Sequence, residues 1–304
     1  MIRVVRVLAP NPGSFTLDGT NTWIVGSRPS VVIDPGPDDA GHILAVADEA
    51  EPLSAIVLTH QHPDHAPGAR RLAGATGAPV YAYRPEEEDE RRLGPGEVVE
   101  AGEVRLLAVH TPGHTPDHLC LLAEPDRLLF TGDTVLGRGT SVIDPPEGDM
   151  AAYMRSLETL RDLEPAVIYP GHGPVVFTPR GKLDHYLGHR ARREERILAA
   201  VARGRRTPTE IVPEVYAGEA PEAMYPVAAR SVLAHLIKLE REGVVTRTGR
   251  HKDERFVPVQ VKDCARCGRP AAPGSRFCRR CGLAALQEGP PAEAPDEASQ
   301  PAPD

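Results

Sequence analysis

Short apolar runs, each closing on a polar loop, recur through the first 170 residues. Residues 2–8 alternate loosely and predict a first strand, while 23–25 and 31–33 predict a hairpin ending in Asp34-Pro-Gly. Residues 38–50 fit an amphipathic helix, with Asp38 or Asp39 near its start, where the helix dipole favours a carboxylate. The run Ser-Ala-Ile-Val-Leu at 54–58 predicts a buried strand, 67–77 a helix and 80–83 a strand. Residues 86–92 form a charge run expected to be a solvated surface segment. Two further hairpins are expected, from 98–100 with 104–109 and from 119–122 with 128–130; a helix over 150–163 and a strand over 166–169 complete the pattern. Strands grouped around helices in this order fit an α/β fold of the αββα sandwich kind better than a strictly alternating βαβ sheet.

The pattern changes near residue 180. A long helix rich in Arg and Glu is predicted over 181–203, a short one over 207–216, and a strongly periodic one over 227–242 with Val232, Leu233, Leu236, Ile237 and Leu239 on one side. Two short strands around a polar turn follow at 244–259, and three helices closed by a hairpin describe a winged helix. The expected domains are therefore 1–180, a winged helix at 181–260, a cysteine module at 262–283 and a tail at 284–304. The tail holds Pro, Ala, Glu and Asp with almost nothing to bury, so disorder is expected there.

Only 4% of the chain is aromatic, so its core must be built from Val, Leu, Ile and Ala. No stretch has the length and apolarity of a signal peptide or a membrane span, and a cytoplasmic protein with no membrane partner is expected. The net charge of −8 conceals an asymmetry. Residues 1–179 hold 13 Lys and Arg against 26 Asp and Glu, whereas 180–283 hold 22 against 12. A basic C-terminal third behind an acidic catalytic part suits an anionic polymer as substrate, or attraction between the two parts.

The candidate chemistry centres on Thr-His-Gln-His-Pro-Asp-His at 59–65. His60, His62, Asp64 and His65 fall just past a predicted strand, where open α/β sheets place their sites. His60 and His62 alternate on extended backbone, and Pro63 blocks immediate helix formation, letting Asp64 and His65 turn toward a second ion. Three more candidates each follow a strand beside a glycine: His114, Asp133 and His172. Five imidazoles and two carboxylates without thiolate suit two zinc ions, with manganese or iron as substitutes. Asp133 can bridge the two ions, and a water between them would lose its proton near neutral pH and act as nucleophile. Asp64 and Asp133 are thus expected to be catalytic as well as ligating. His110 and His118 flank His114 as supporting or structural residues, and Cys120 sits in a strand-like run as a core residue.

These motifs, His-x-His-x-Asp-His followed by Gly-His, Gly-Asp and Gly-His-Gly, make residues 1–180 resemble the metallo-β-lactamase fold hydrolases. The resemblance implies that His60, His62 and His114 hold one zinc and Asp64, His65 and His172 the other, with Asp133 bridging and Asp34 supporting the loop. The stretches at 11–26, 132–140, 153–160 and 168–175, with the His189-Arg190 pair and the winged helix, look like the lactamase-beta-like group, some of whose members are endoribonucleases. That resemblance implies hydrolysis of phosphodiesters in single-stranded RNA, met through the basic C-terminal third. The alternatives are a small ester or thioester, as in the glyoxalase II branch, and an adaptor with little turnover. Arg138, Tyr153 and Lys182 are candidate substrate contacts.

Cys264-x-x-Cys267 and Cys278-x-x-Cys281, each followed by glycine, predict a zinc ribbon with one structural zinc held by four thiolates. So short a segment cannot fold on apolar burial alone, and the metal would supply its stability. Its five arginines suit nucleic acid or an acidic partner. The third helix of the winged helix offers only Arg230, His235 and Lys238 for reading bases, so it is expected to wall the active site rather than enter a groove.

Overall fold

A computed structural model describes residues 2–249 and 254–259. The chain divides into two compact units, Met1–Lys238 and Leu239–Asp304. The first is built on two sheets. One sheet holds β1 (Val4–Leu8), β2 (Asn21–Val25), β3 (Ser30–Ile33), β4 (Leu53–Val57), β5 (Val80–Ala82) and β6 (Glu90–Arg92), in that spatial order. The other holds β7 (Val98–Ala101), β8 (Val104–His110), β9 (Leu119–Glu124), β10 (Leu128–Gly132) and β11 (Val167–Pro170), ordered 11-10-9-8-7. β1–β3 and β7–β10 pair antiparallel, while β3–β6 and β10–β11 pair parallel.

The two-residue period of the strands sorts the apolar side chains into layers. Trp23, Val25, Val31, Ile33 and Val57 face Val104, Leu106, Leu119, Leu121 and Phe130 between the sheets. Their neighbours Ile24, Val32 and Ile56 point the other way, onto α1 (Ala40–Ala50) and α2 (Gly68–Thr76). Cys120, Leu122 and Leu129 likewise meet α3 (Met150–Asp162) and α4 (Pro179–Ala202). With both faces of both sheets covered, the central strands are buried along their whole length, as β2, β3 and β10 are. The result is the expected αββα sandwich.

Side chains fix the helix starts. Asp39 caps α1 by accepting from the His42 amide at 2.8 Å, and Asp149 caps α3 by accepting from the Ala152 amide at 2.9 Å. The charge run at 86–92 is largely exposed, as expected, but it ends in a strand that its pattern does not announce. Its last three residues form β6, an edge strand parallel to β5 whose arginines stay exposed, so the run carries no apolar alternation to announce a strand.

Beyond α4, the first unit continues with α5 (Pro208–Val215), a 3-10 turn (Glu222–Met224) and α6 (Tyr225–Arg241), which runs across the division. In the second unit β12 (Val245–Thr248) pairs antiparallel with β13 (Arg255–Pro258). There Arg247 pairs with Glu240 at 2.8 Å and with Glu254 at 3.2 Å, and lies 5.2 Å from the Phe256 ring centroid. Cys264, Cys267, Cys278 and Cys281, and the tail at 284–304, lie outside the described residues. Among the described residues no helix is long and apolar enough to cross a membrane.

Phe130 packs between Trp23, at 6.4 Å between centroids, and Tyr169, stacked at 5.1 Å. Phe130→Ala is expected to lower stability by about 3–5 kcal/mol, read by denaturant unfolding. A loss below roughly 1 kcal/mol would remove this aromatic group from the centre of the core.

Candidate metal centre

The seven predicted residues converge from loops at the C-terminal ends of β4, β8, β10 and β11, with both sheets contributing. They fall into two sets, His60, His62, His114 and Asp133, and Asp64, His65 and His172. His62 Nδ1 lies 3.1 Å from His114 Nε2, and His65 Nε2 lies 3.2 Å from His172 Nε2. Ligand atoms on the edge of a tetrahedron with zinc–nitrogen bonds of about 2.0 Å are about 3.3 Å apart, so these spacings suit a shared ion. Asp133 Oδ2 faces His114 Nε2 at 3.6 Å, while its Oδ1 faces His65 and His172 Nε2 at 3.4 and 3.3 Å. One carboxylate therefore presents an oxygen to each set. Asp64 Oδ2 completes the second, 3.1 Å from His172 Nε2.

The hydrogen bonds behind the rings fix which nitrogen faces the centre. The Asp34 carboxylate accepts from the Thr59 amide and from Thr59 Oγ1, each at 2.7 Å. Having donated to Asp34, the Thr59 hydroxyl accepts from His60 Nδ1 at 3.0 Å, which leaves His60 Nε2 with a bare lone pair. Asp34 Oδ2 also accepts from His65 Nδ1 at 2.8 Å. His114 Nδ1 donates to Val142 O at 2.9 Å, and His172 Nδ1 donates to Gly19 O at 3.2 Å. Four of the five imidazoles thus have Nε2 free toward the centre. His62 uses Nδ1 instead, with Glu147 3.8 Å from its Nε2. Buried His60 Nε2 and Asp133 Oδ1 have no hydrogen-bond partner, the signature of atoms reserved for a cation. A Cβ on Gly171 would lie 2.8 Å from both Asp133 Oδ1 and His65 Cε1, so only glycine leaves the centre open there.

Electrostatics agree with this arrangement. Burial, reinforced by His65 and His118, holds the His60 imidazole well below its ordinary value, which keeps it neutral. Burial also opposes charge on Asp133, but His65 and His172 overcome it and hold the carboxyl well below the usual range. For His65 burial is again the largest effect, and it is outweighed by Asp133 and Asp34, which raise the ring well above its ordinary value. A site that draws a proton to this nitrogen draws a metal cation for the same reason.

His118 belongs to the support. Its Nε2 accepts from the Asp133 amide at 3.1 Å, so its proton sits on Nδ1 and reaches Thr111 Oγ1 at 3.0 Å. His110 instead meets Pro116 O at 2.9 Å and stacks on Tyr83, and Cys120 is a fully buried core residue whose thiol burial pushes up to about 12. Two candidate substrate contacts are corrected. Tyr153 is fully buried in the α3 stripe and donates to Thr134 O at 2.8 Å. Lys182 donates to Gly137 O at 3.1 Å and lies over the Tyr186 ring, so packing accounts for it. Arg138 does line the cavity above the centre. Thr59, Glu147 and the carbonyls of Gly19 and Val142 were not foreseen. Thr59 adjoins the motif, but a carbonyl acceptor carries no residue-type signal.

Asp34→Asn sets an amide against donors from Thr59 and His65. Metal affinity, read by chelator competition, is expected to fall about 10- to 100-fold while the unfolding transition persists. Unchanged affinity would show that Asp34 does not orient the ligands.

Comparison with known proteins agrees with the geometry. Residues 15–172 match the metallo-beta-lactamase superfamily, and 207–254 match the beta-lactamase associated winged helix domain. The beta-lactamase-like protein 2 homolog of Drosophila melanogaster is 37% identical over 288 residues, 84% of this chain and 94% of that protein. An atrochrysone carboxyl ACP thioesterase of Aspergillus chevalieri is 37% identical over 236 residues, 72% and 75% of the two chains. A beta-lactamase domain protein from Burkholderia ambifaria shares the fold with a TM-score of 0.73 at 23% identity, covering 84% of this chain and 91% of that one. Its motifs, its paired ligand sets and these matches together make the chain a member of the metallo-β-lactamase superfamily, a hydrolase fold extended by a β-lactamase-associated winged helix.

Proposed function

We propose that the protein is a dinuclear zinc hydrolase of small acyl thioesters. The observation that carries this is the shape and lining of the cavity above the two ligand sets. It holds about 300 Å³, with Phe15, Leu17, Leu136 and Met224 facing His62, Asp64, His114, Asp133 and His172. Arg138 is the one Lys or Arg among the described lining, and it faces Asp18 at 3.4 Å. A small, largely apolar cavity suits an acyl chain, whereas a strand of RNA calls for a long cationic groove with stacking platforms. The basic stretch is also partly compensated within itself: Arg193 and Arg196 pair with Glu219, and Arg203 and Arg205 with Glu214. The fungal relative named as an ACP thioesterase supports the same substrate class.

In this reading His60, His62 and His114 hold one zinc, Asp64, His65 and His172 the other, and Asp133 both. The ions, when bound, supply an activated water near neutral pH and polarise the scissile carbonyl. The chain's residues do the rest. Thr59, Val142, Asp34 and Gly19 hold four imidazoles in register from behind. Phe15, Leu17 and Met224 offer the acyl chain apolar surface. Hydrolysis adds the oxygen of water to the carbonyl carbon and breaks the C–S bond. Sulfur leaves as the thiolate, whose conjugate acid has an ordinary pKa of about 8.5, and takes up through solvent a proton from the attacking water, so no dedicated acid is needed.

Metal-replete protein and Asp64→Ala should be compared on a panel of acyl thioesters and on labelled single-stranded RNA. Thioester turnover is expected, and the variant should lose at least about a hundredfold in kcat/KM with its unfolding transition retained. RNA cleavage lost in Asp64→Ala, with thioesters untouched, would replace the substrate class. Turnover undiminished by the variant would remove the site itself.

The spacing of Cys264, Cys267, Cys278 and Cys281 supports a third, structural zinc. Elemental analysis should then find one zinc fewer per chain in Cys264→Ser/Cys267→Ser, with turnover preserved. An unchanged zinc content would dismiss the ribbon.

A further inference from the structure

Beside the metal-competent cavity lies a second one of about 260 Å³, walled by α4, the turn after α5, and α6. Thr140, Ser141, Val142 and Met224 line both cavities, which therefore adjoin along one shared boundary. The second is smaller than the ~300–1,000 Å³ that takes a whole drug-sized ligand, and suits one arm of a molecule. Val142, Val227 and Ala228 make one side apolar, and Arg190, Arg193 and Glu219 bring charge to the other.

The charges do not balance. Arg193 is matched, at 2.5 Å from Glu219 Oε2, and Glu219 also serves Arg196. Arg190 is only 2% exposed and forms no ion pair with a carboxylate among the described residues. Its Nη2 donates to Ser141 O at 2.5 Å, its guanidinium lies 5.2 Å from the Tyr153 ring centroid, and its Nε has no hydrogen-bond partner. His189 adds no charge to the wall, because burial, then Arg190 and Arg193, push its imidazole down to about 4, and its Nδ1 is also unpartnered. A buried guanidinium without a counter-charge is costly, and the cavity beside it is where a ligand can supply one.

We propose that this cavity is a carboxylate subsite, receiving an acid group on the acyl arm of the substrate while the reacting carbonyl sits at the metal centre. The second half of that statement rests on the thioester reading. A single unmatched positive charge calls for a monoanion, and the planar guanidinium matches the two oxygens of a carboxylate. The wall between the cavities also ties the subsite to the centre. Arg190 holds Ser141 O, Ser141 Oγ donates to Asp133 O, and the next residue offers Val142 O to His114. An anion that draws on Arg190 therefore acts on the residue that holds Asp133 O and beside the one that holds His114.

Ser231 lines the subsite from α6 and takes no part in the metal centre. Glutarate should be titrated calorimetrically into the metal-loaded full chain, into Ser231→Asp, which places a fixed carboxylate in the cavity, and into Ser231→Asn, of the same size without charge. Saturable binding to the wild type is expected, weakened at least about tenfold by Ser231→Asp and within about threefold in Ser231→Asn. In turnover, a glutaryl thioester should show a KM roughly tenfold below that of its pentanoyl counterpart, and Ser231→Asp should abolish that preference. No glutarate binding, or equal binding to wild type and Ser231→Asp, would overturn the subsite; inorganic phosphate binding more tightly than glutarate would overturn its assignment to a carboxylate. If no thioester is turned over, the functional reading fails, and the calorimetry still decides the subsite.

Discussion

A carboxylate at the end of one strand, buried to 2% exposure, fixes the geometry of the proposed metal centre. Asp34 follows β3 and reaches across to the loop after β4, where it accepts three hydrogen bonds from Thr59 and His65. Removing a carboxylate this far from water is unfavourable unless its lone pairs are met, and the three donors meet them. Its φ of +50° is a backbone conformation that Asp tolerates better than most residues. Through the Thr59 hydroxyl the order it imposes reaches His60 as well, so one anion sets the facing nitrogen in both ligand sets. His118 does the corresponding work on the other sheet, holding the Asp133 amide from behind.

The layers explain why such a network can exist. Strict alternation along β2, β3, β9 and β10 gives each sheet two apolar faces, and only where the strands end can polar groups gather. Both sheets present those ends on the same side, and glycines at 132 and 171 keep side chains out of the space between them. The cavity above is consequently polar at its base and apolar at its rim, a division that would hold a reacting carbonyl below and a hydrocarbon chain above.

Much of this could be read from residue types, because metal ligands come from few side-chain types and four candidates crowd into six positions of one loop. A carboxylate at the start of α1, where Asp39 caps it, and most strands followed from the same local chemistry. What escaped were features that depend on chain trajectory. Val142 O sits 28 residues from the ring it holds, and any residue there would offer the same carbonyl. Tyr153 resembled a polar contact, although its place beside Met150, Leu157 and Leu160 on one helical stripe marks it as core. The charge run hid β6 because an exposed edge strand needs no apolar alternation. Arg190 gave no sign of its burial, since arginine is read by default as surface.

The two ligand pairs join positions 52 and 107 residues apart along the chain. An ion held by such pairs would close very long loops, and the entropy of closing a loop grows only as the logarithm of its length. It would therefore act as a clasp between the two halves of the sandwich, binding the folded chain and not the extended one, and its stabilisation would follow mass action. Metal supply would then govern how much of this protein survives proteolysis as well as how fast it turns over.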